Sequence, residues 1–176
     1  MSVKKKTSGR RSVQADGEVS SQTTVERRSA EAELRKIIAS LASAHAKLIG
    51  AVRKSLQRRL PTAHEVVYEY ANLGAVVISF SPNERGYEGV LSIRADADGV
   101  RLYLSRGKEL PDPAKLLQGS AQARWIDVEA ASTLGRPEVA RLLEEAIARN
   151  TVPFADAGRG SVVIRSTSTK KGRRPK

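Results

Sequence analysis

Residues 90–106 read VLSIRADADGVRLYLSR. Alternating apolar residues run into Asp98-Gly99 and out again, the pattern of a β-hairpin. A two-residue type I′ turn needs positive φ at both positions, which Asp-Gly tolerates better than most pairs. Placing the turn there predicts pairs Ala97–Val100, Asp96–Arg101, Ala95–Leu102, Arg94–Tyr103 and Ile93–Leu104. Leu91, Ile93, Leu102 and Leu104 then share a core face, and Arg94, Arg101 and Tyr103 share the other. Asp96 facing Arg101 would contribute roughly 0.2–1 kcal/mol.

Downstream, ELPDPAKLLQG (109–119) reads as an extended exit. Asp112 caps a single helical turn from Pro113, Leu116 and Leu117 point at the core, and Gly119 ends it. ARWIDV (123–128) is a further strand. GRPEVARLLEEAIARN spaces Val139, Leu142, Leu143, Ala146 and Ile147 as one helix face, with Pro137 in its first turn. SVVIRST (161–167) is a last strand. Upstream, AVVISF (75–80) is β-rich and NERGYEG (83–89) is a loop. AHEVVYEYA (63–71), behind Thr62, reads as a short capped helix.

Before Pro61, Leu34, Ile38, Leu41, His45, Leu48 and Val52 recur at helical spacing. This predicts one amphipathic helix over 30–59 with Ser29 as N-cap and Glu31 and Glu33 in its first turn. The fold class is therefore α+β: an antiparallel sheet of four to five strands flanked by a long N-terminal helix and a C-terminal helix. Residues 1–28 read as a disordered basic tail, 29–167 as the domain and 168–176 as a basic C-terminal tail.

The net charge of +12 is unevenly spread. Residues 1–28 carry +4, 159–176 carry +7, and 29–158 only +1. Basic tails attract nucleic acid or acidic proteins without specificity. There is no cysteine, which removes disulfides, thiolate metal sites and cysteine nucleophiles and fits a reducing, cytoplasmic setting. No run of about 18 apolar residues suggests a membrane span.

GVRLYLSRGKELPDPAKLLQG (99–119) followed by ARWIDV resembles the YdhG-like domain family, a domain of unknown function. LPTAHEVVYEYANLGAVVISFSP (60–82) is similar to that family's Pro-x-x-x-Glu element leading into the first strand. The resemblance covers about 30–150 and implies a helix-flanked antiparallel sheet. It brings no agreed catalytic residues. A fold-level comparison with frataxin-like proteins implies iron handling.

Several groups compete as sites. Arg106-Gly107-Lys108 lacks the glycines and the following helix of a phosphate loop, and Glu109 and Asp112 would repel an anion, so it reads as a turn. Asp96 and Asp98 lack the later ligands of a calcium loop. Glu65 and Glu69, at i and i+4 of the expected short helix, would share a face and hold a hard cation, the basis of the alternative reading as a small-ligand or iron-binding protein. His64 lies off that face. His45 falls in the apolar seam of the long helix and reads as a packed histidine. No Gly-x-Ser-x-Gly or Ser-x-x-Lys motif occurs, so the reading is non-enzymatic, with no cofactor.

The outward hairpin row remains: Arg94, Arg101 and Tyr103, joined by Trp125 if Ile126 and Val128 face the core. Cations around aromatics on a sheet suit single-stranded nucleic acid. Otherwise a helix covers them or they simply dress the sheet. Lys170, Lys171, Arg173 and Arg174 would add a salt-sensitive arm. The functional expectation is a binding or accessory module whose tails contact nucleic acid or an acidic partner.

Overall fold

A computed structural model describes residues 17–167. The elements run α1 (Thr24–Ala39), α2 (Ser43–Arg59), β1 (His64–Tyr70), β2 (Ala75–Ser81), β3 (Leu91–Asp96), β4 (Gly99–Leu104), β5 (Arg124–Asp127), α3 (Pro137–Ala148) and β6 (Val162–Ser166). One six-stranded sheet has the order β5-β4-β3-β2-β1-β6. Neighbours are antiparallel except β6, which lies parallel to β1. The class is α+β as expected, but the sheet is mixed and larger than four to five strands.

The hairpin keeps its faces and changes its pairs. Arg94 pairs with Arg101, Ile93 with Leu102 and Leu91 with Leu104. The turn is Ala97–Asp98, one residue earlier than Asp-Gly placement predicts. Asp96 Oδ1 accepts from the Asp98 N–H at 3.0 Å, a side-chain turn that commits the chain before Gly99 is reached. Only Gly99 takes positive φ there, at 138°. The register moves by two residues, so parity is preserved and Leu91, Ile93, Leu102 and Leu104 stay fully buried.

The expected short helix at 63–71 is β1 instead. His64, Val66, Tyr68 and Tyr70 alternate with Glu65, Val67 and Glu69. β-Branched and aromatic residues fit a pleated surface better than a helix. The partners on both sides, β2 and β6, complete the choice.

The expected single helix over 30–59 is two helices broken at residues 40–42. A straight helix of 30 residues would run about 45 Å, far beyond strands of about 20 Å. Breaking it lets Leu34 and Ile37 of α1 and Ile49, Val52 and Leu56 of α2 all reach the core. The first helix also starts earlier. Thr23 is its N-cap, in a reciprocal capping box with Glu26, and Ser29 lies inside it. The expected boundary at residue 29 thus falls within α1.

Buried residues of all three helices join one face of β1–β5 in a single core. Val66, equally buried, stands apart from it on the other face. There the loop after β2 lies over the sheet, with Gly86 against Tyr68 and Val66 and Gly89 against Ser79. Asp112 does organise its turn: its two carboxylate oxygens accept from the Leu116 and Leu117 amides at 3.0 and 2.8 Å.

Candidate functional site

The outward row assembles as the strand pattern predicts. Tyr103 pairs with Trp125 across β4 and β5, their ring centroids 5.6 Å apart. The Arg101 guanidinium lies 6.0 Å from the Trp125 ring. Arg94 sits opposite Arg101 on β3. The three helices lie on the opposite side. Both cations, however, are already matched: Arg101 Nε lies 3.3 Å from Asp127 and Arg94 Nε 2.7 Å from Asp96. Burial acts to raise the Asp96 carboxyl, but the Arg94 hydrogen bond, the Asp98 amide and the charges of Arg94 and Arg101 together bring it below its ordinary value. Gly119 packs on the Trp125 ring. The row is a charge-balanced patch with little free positive potential for a phosphate backbone.

Glu65 and Glu69 share a strand face, but roughly 13 Å apart by strand rise. Glu65 is buried, and Arg53 and Gln57 occupy its carboxylate (Arg53 Nε 2.5 Å, Gln57 Nε2 2.7 Å). Among the described residues no three His, Cys, Asp or Glu side chains come together as a metal cage. The helix that would have made a cation pair of Glu65 and Glu69 is absent. His45, half-buried on α2, bonds through Nδ1 to the Asp96 carbonyl at 2.9 Å.

His64 sits in a buried polar knot. The Ser161 N–H donates to its Nδ1 (3.1 Å), so Nε2 carries the proton given to the Glu18 carbonyl (2.6 Å). The Ser161 hydroxyl donates instead to Glu84 (2.5 Å) and accepts from Ser20. The three residue types of a hydrolytic triad are thus adjacent but wired wrongly, since no base nitrogen faces the hydroxyl. Their work is to fasten residues 18–20 and β6 to β1.

A groove of about 1050 Å³ lies between α1 and α2. Ile38, Leu41, Ala46 and Gly50 form its apolar floor. Its cations are Arg27, Arg28 and Arg35 from α1, Lys47, Arg53 and Lys54 from α2, and Arg159 from the loop before β6. Arg53 is committed: it bridges Glu31 (2.7 Å) and Glu65 (2.5 Å). Burial opposes the Arg53 charge most strongly, yet the hydrogen bonds and charges of the two carboxylates raise its pKa above the ordinary value. Arg27 runs the other way. Burial, then the like charge of Arg159, lower its pKa despite Glu31 and Glu65 nearby. Its Nε is shielded from solvent and has no hydrogen-bond partner among the described residues. Arg28, Arg35, Lys47, Lys54 and Arg159 make no ion pair among the described residues.

The sequence carried a signal for this that a count over the whole domain conceals. Residues 34–64 hold seven Lys or Arg and no Asp or Glu. The near-neutral domain is strongly polarised. The tail cations Lys170, Lys171, Arg173 and Arg174 lie outside the described residues. No helix among those residues is long and apolar enough to cross a membrane. Comparison with family models, with curated proteins and with solved structures finds no match to this chain.

Proposed function

We propose that the chain is a non-enzymatic binding module of the YdhG-like kind, whose partner is an acidic protein segment held in the α1–α2 groove. The observation that carries this reading is the set of five cations on the groove walls, none of them within 4 Å of a carboxylate among the described residues, while the one acid in the lining, Glu31, is bridged by Arg53. The shape favours protein over nucleic acid. Among the described residues no aromatic side chain lines the groove, so nothing there stacks bases. A duplex is about twice as wide as an α-helix and cannot settle between two adjacent helices. The basic tails add long-range attraction, which salt screens beyond roughly 8 Å at physiological ionic strength.

The test is anisotropy titration of a labelled polyglutamate peptide and of labelled single- and double-stranded oligonucleotides with the full chain. Two variants accompany it: Arg28→Glu with Lys47→Glu and Lys54→Glu, and a tail variant with Lys170, Lys171, Arg173 and Arg174 changed to Gln. The groove variant should weaken polyglutamate binding at least tenfold, and the tail variant should do so only at low salt. Equal binding by wild type and groove variant overturns the site. Tight oligonucleotide binding without peptide binding replaces the acidic protein with nucleic acid.

A further inference from the structure

The groove has more than charge. Its floor is apolar, and one stretch of it is empty by design of the sequence. Gly50 lies in the middle of α2, one turn beyond Ala46 on the same face. A side chain at Gly50 would meet nothing within 4 Å among the described residues. Mid-helix glycine costs roughly 1 kcal/mol relative to alanine, and here no packing among the described residues demands it. Ile38 and Leu41, half-buried, continue the floor from α1 and from the linker between the helices. The groove follows α1 from Thr24 to Ala39 and α2 from Ser43 to Gln57. That is about 24 Å of helix at 1.5 Å per residue. Its cations without an ion pair among the described residues, Arg28 and Arg35 on one wall and Lys47 and Lys54 on the other, stand on both sides of the apolar strip.

We propose that this groove seats an acidic amphipathic α-helix of a partner protein, its apolar stripe on the floor at Ala46 and Gly50 and its carboxylates on the cationic walls. This rests on the reading of the groove as an acidic-segment site and adds the conformation and the register. A helix about 10 Å across fits a cleft between two helices. It presents apolar residues at i, i+4 and i+7 to a strip while its flanks meet both walls. The missing side chain at Gly50 allows the visiting backbone to approach closely. The Arg27–Arg159 end, where two cations crowd one another, is where an acidic terminus of that helix would lie.

The test uses the full chain and three labelled probes. One is a 16-residue Glu-rich peptide with leucines at i, i+4, i+7 and i+11. The second has the same composition with its leucines scattered around the helix. The third is a duplex oligonucleotide. Anisotropy should show the striped peptide binding at least tenfold tighter than the scattered one. Circular dichroism should show its helicity rising on binding. Gly50→Leu should weaken the striped peptide at least tenfold without lowering Tm, since it fills open space and favours the helix. Lys47→Glu with Lys54→Glu should weaken both peptides. Equal affinity for the two peptides, both lost in the charge variant, overturns the helix while leaving an electrostatic acidic-segment site. Unchanged striped-peptide binding by Gly50→Leu overturns the register. Binding of neither peptide overturns both readings, and the duplex then tells whether nucleic acid takes their place.

Discussion

Arg53 is the residue on which the helical layer and the sheet agree. It reaches from α2 to Glu31 on α1 and to buried Glu65 on β1. Removing one member of a buried ionic group strands the other charges, which typically costs about 3–5 kcal/mol. Arg53→Ala should therefore lower unfolding stability by that order. Arg53→Met combined with Glu31→Leu and Glu65→Leu should recover most of it, because the whole group is replaced by apolar volume. A loss under about 1 kcal/mol for Arg53→Ala would show the bridge to be dispensable. The same group sets an acid limit. Burial would raise the Glu31 carboxyl, but Arg53 and Arg27 outweigh it and the folded-state pKa lies below the ordinary 4.5. A depressed carboxylate stabilises fully above its unfolded value and loses that contribution as pH falls through the folded value. Urea unfolding should show wild type exceeding Glu31→Gln at pH 7, with the gap closing below about pH 4. A gap that widens in acid would reverse the sign and refute this role.

At the scale of elements, each edge strand of the sheet is engaged from outside at one residue, by backbone on one side and by a side-chain amide on the other. On β5, Gln118 exchanges two hydrogen bonds with Trp125 (2.8 and 3.2 Å). On β6, the Gln22 side chain accepts from Val162 N–H (3.0 Å) and donates to its carbonyl (2.8 Å). Such covers keep strand edges from pairing with other chains. Gly119 is essential to the first of them, with φ of 96° and its Cα against the Trp125 ring. Gly119→Ala should cost about 2 kcal/mol through strain and overlap. As Trp125 is the sole tryptophan, its emission should shift as well. Unchanged emission and Tm would mean that the loop relaxes freely. These elements differ in how far the sequence announces them. The hairpin's faces were legible because parity survives a two-residue slip, whereas its exact pairs depended on the Asp96 side chain. β1 was not legible, because Glu65 and Glu69 occupy core-side positions where alternation calls for apolar residues, and their i, i+4 spacing imitates a helix face. What excuses Glu65 is Arg53, twelve residues away in sequence and visible only after folding. The groove was half-legible: the acid-free span 34–64 is in the sequence, but the break at residues 40–42 that turns one helix into two walls follows from the length of the strands it must cover.

For the whole molecule, the segment before α1 belongs to the folded unit. The Glu18 carbonyl accepts from buried His64, Ser20 bonds Ser161, Gln22 covers β6 and Thr23 caps α1. These contacts join the start of the described chain to its last strand, so the parallel β1–β6 pairing is held from outside as well as within the sheet. A chain beginning at residue 29 would leave His64 Nε2 buried without its acceptor, at about 1–3 kcal/mol. It would also lose the cap, at about 1 kcal/mol. Together with the uncovered β6 edge, the expected loss is about 3–5 kcal/mol relative to the full chain, read from urea unfolding. A chain beginning at residue 17 should match the full chain in stability, since it keeps each of these partners. Should the 29–176 chain prove as stable as the full one, residues 18–23 merely rest on the domain. The comparison also separates stability from binding. Arg27 and Arg28 lie before residue 29, so the shortened chain loses two of the groove's cations together with its clasp. Only the 17–176 chain can therefore be used to ask what the groove binds once the N-terminal basic residues are removed.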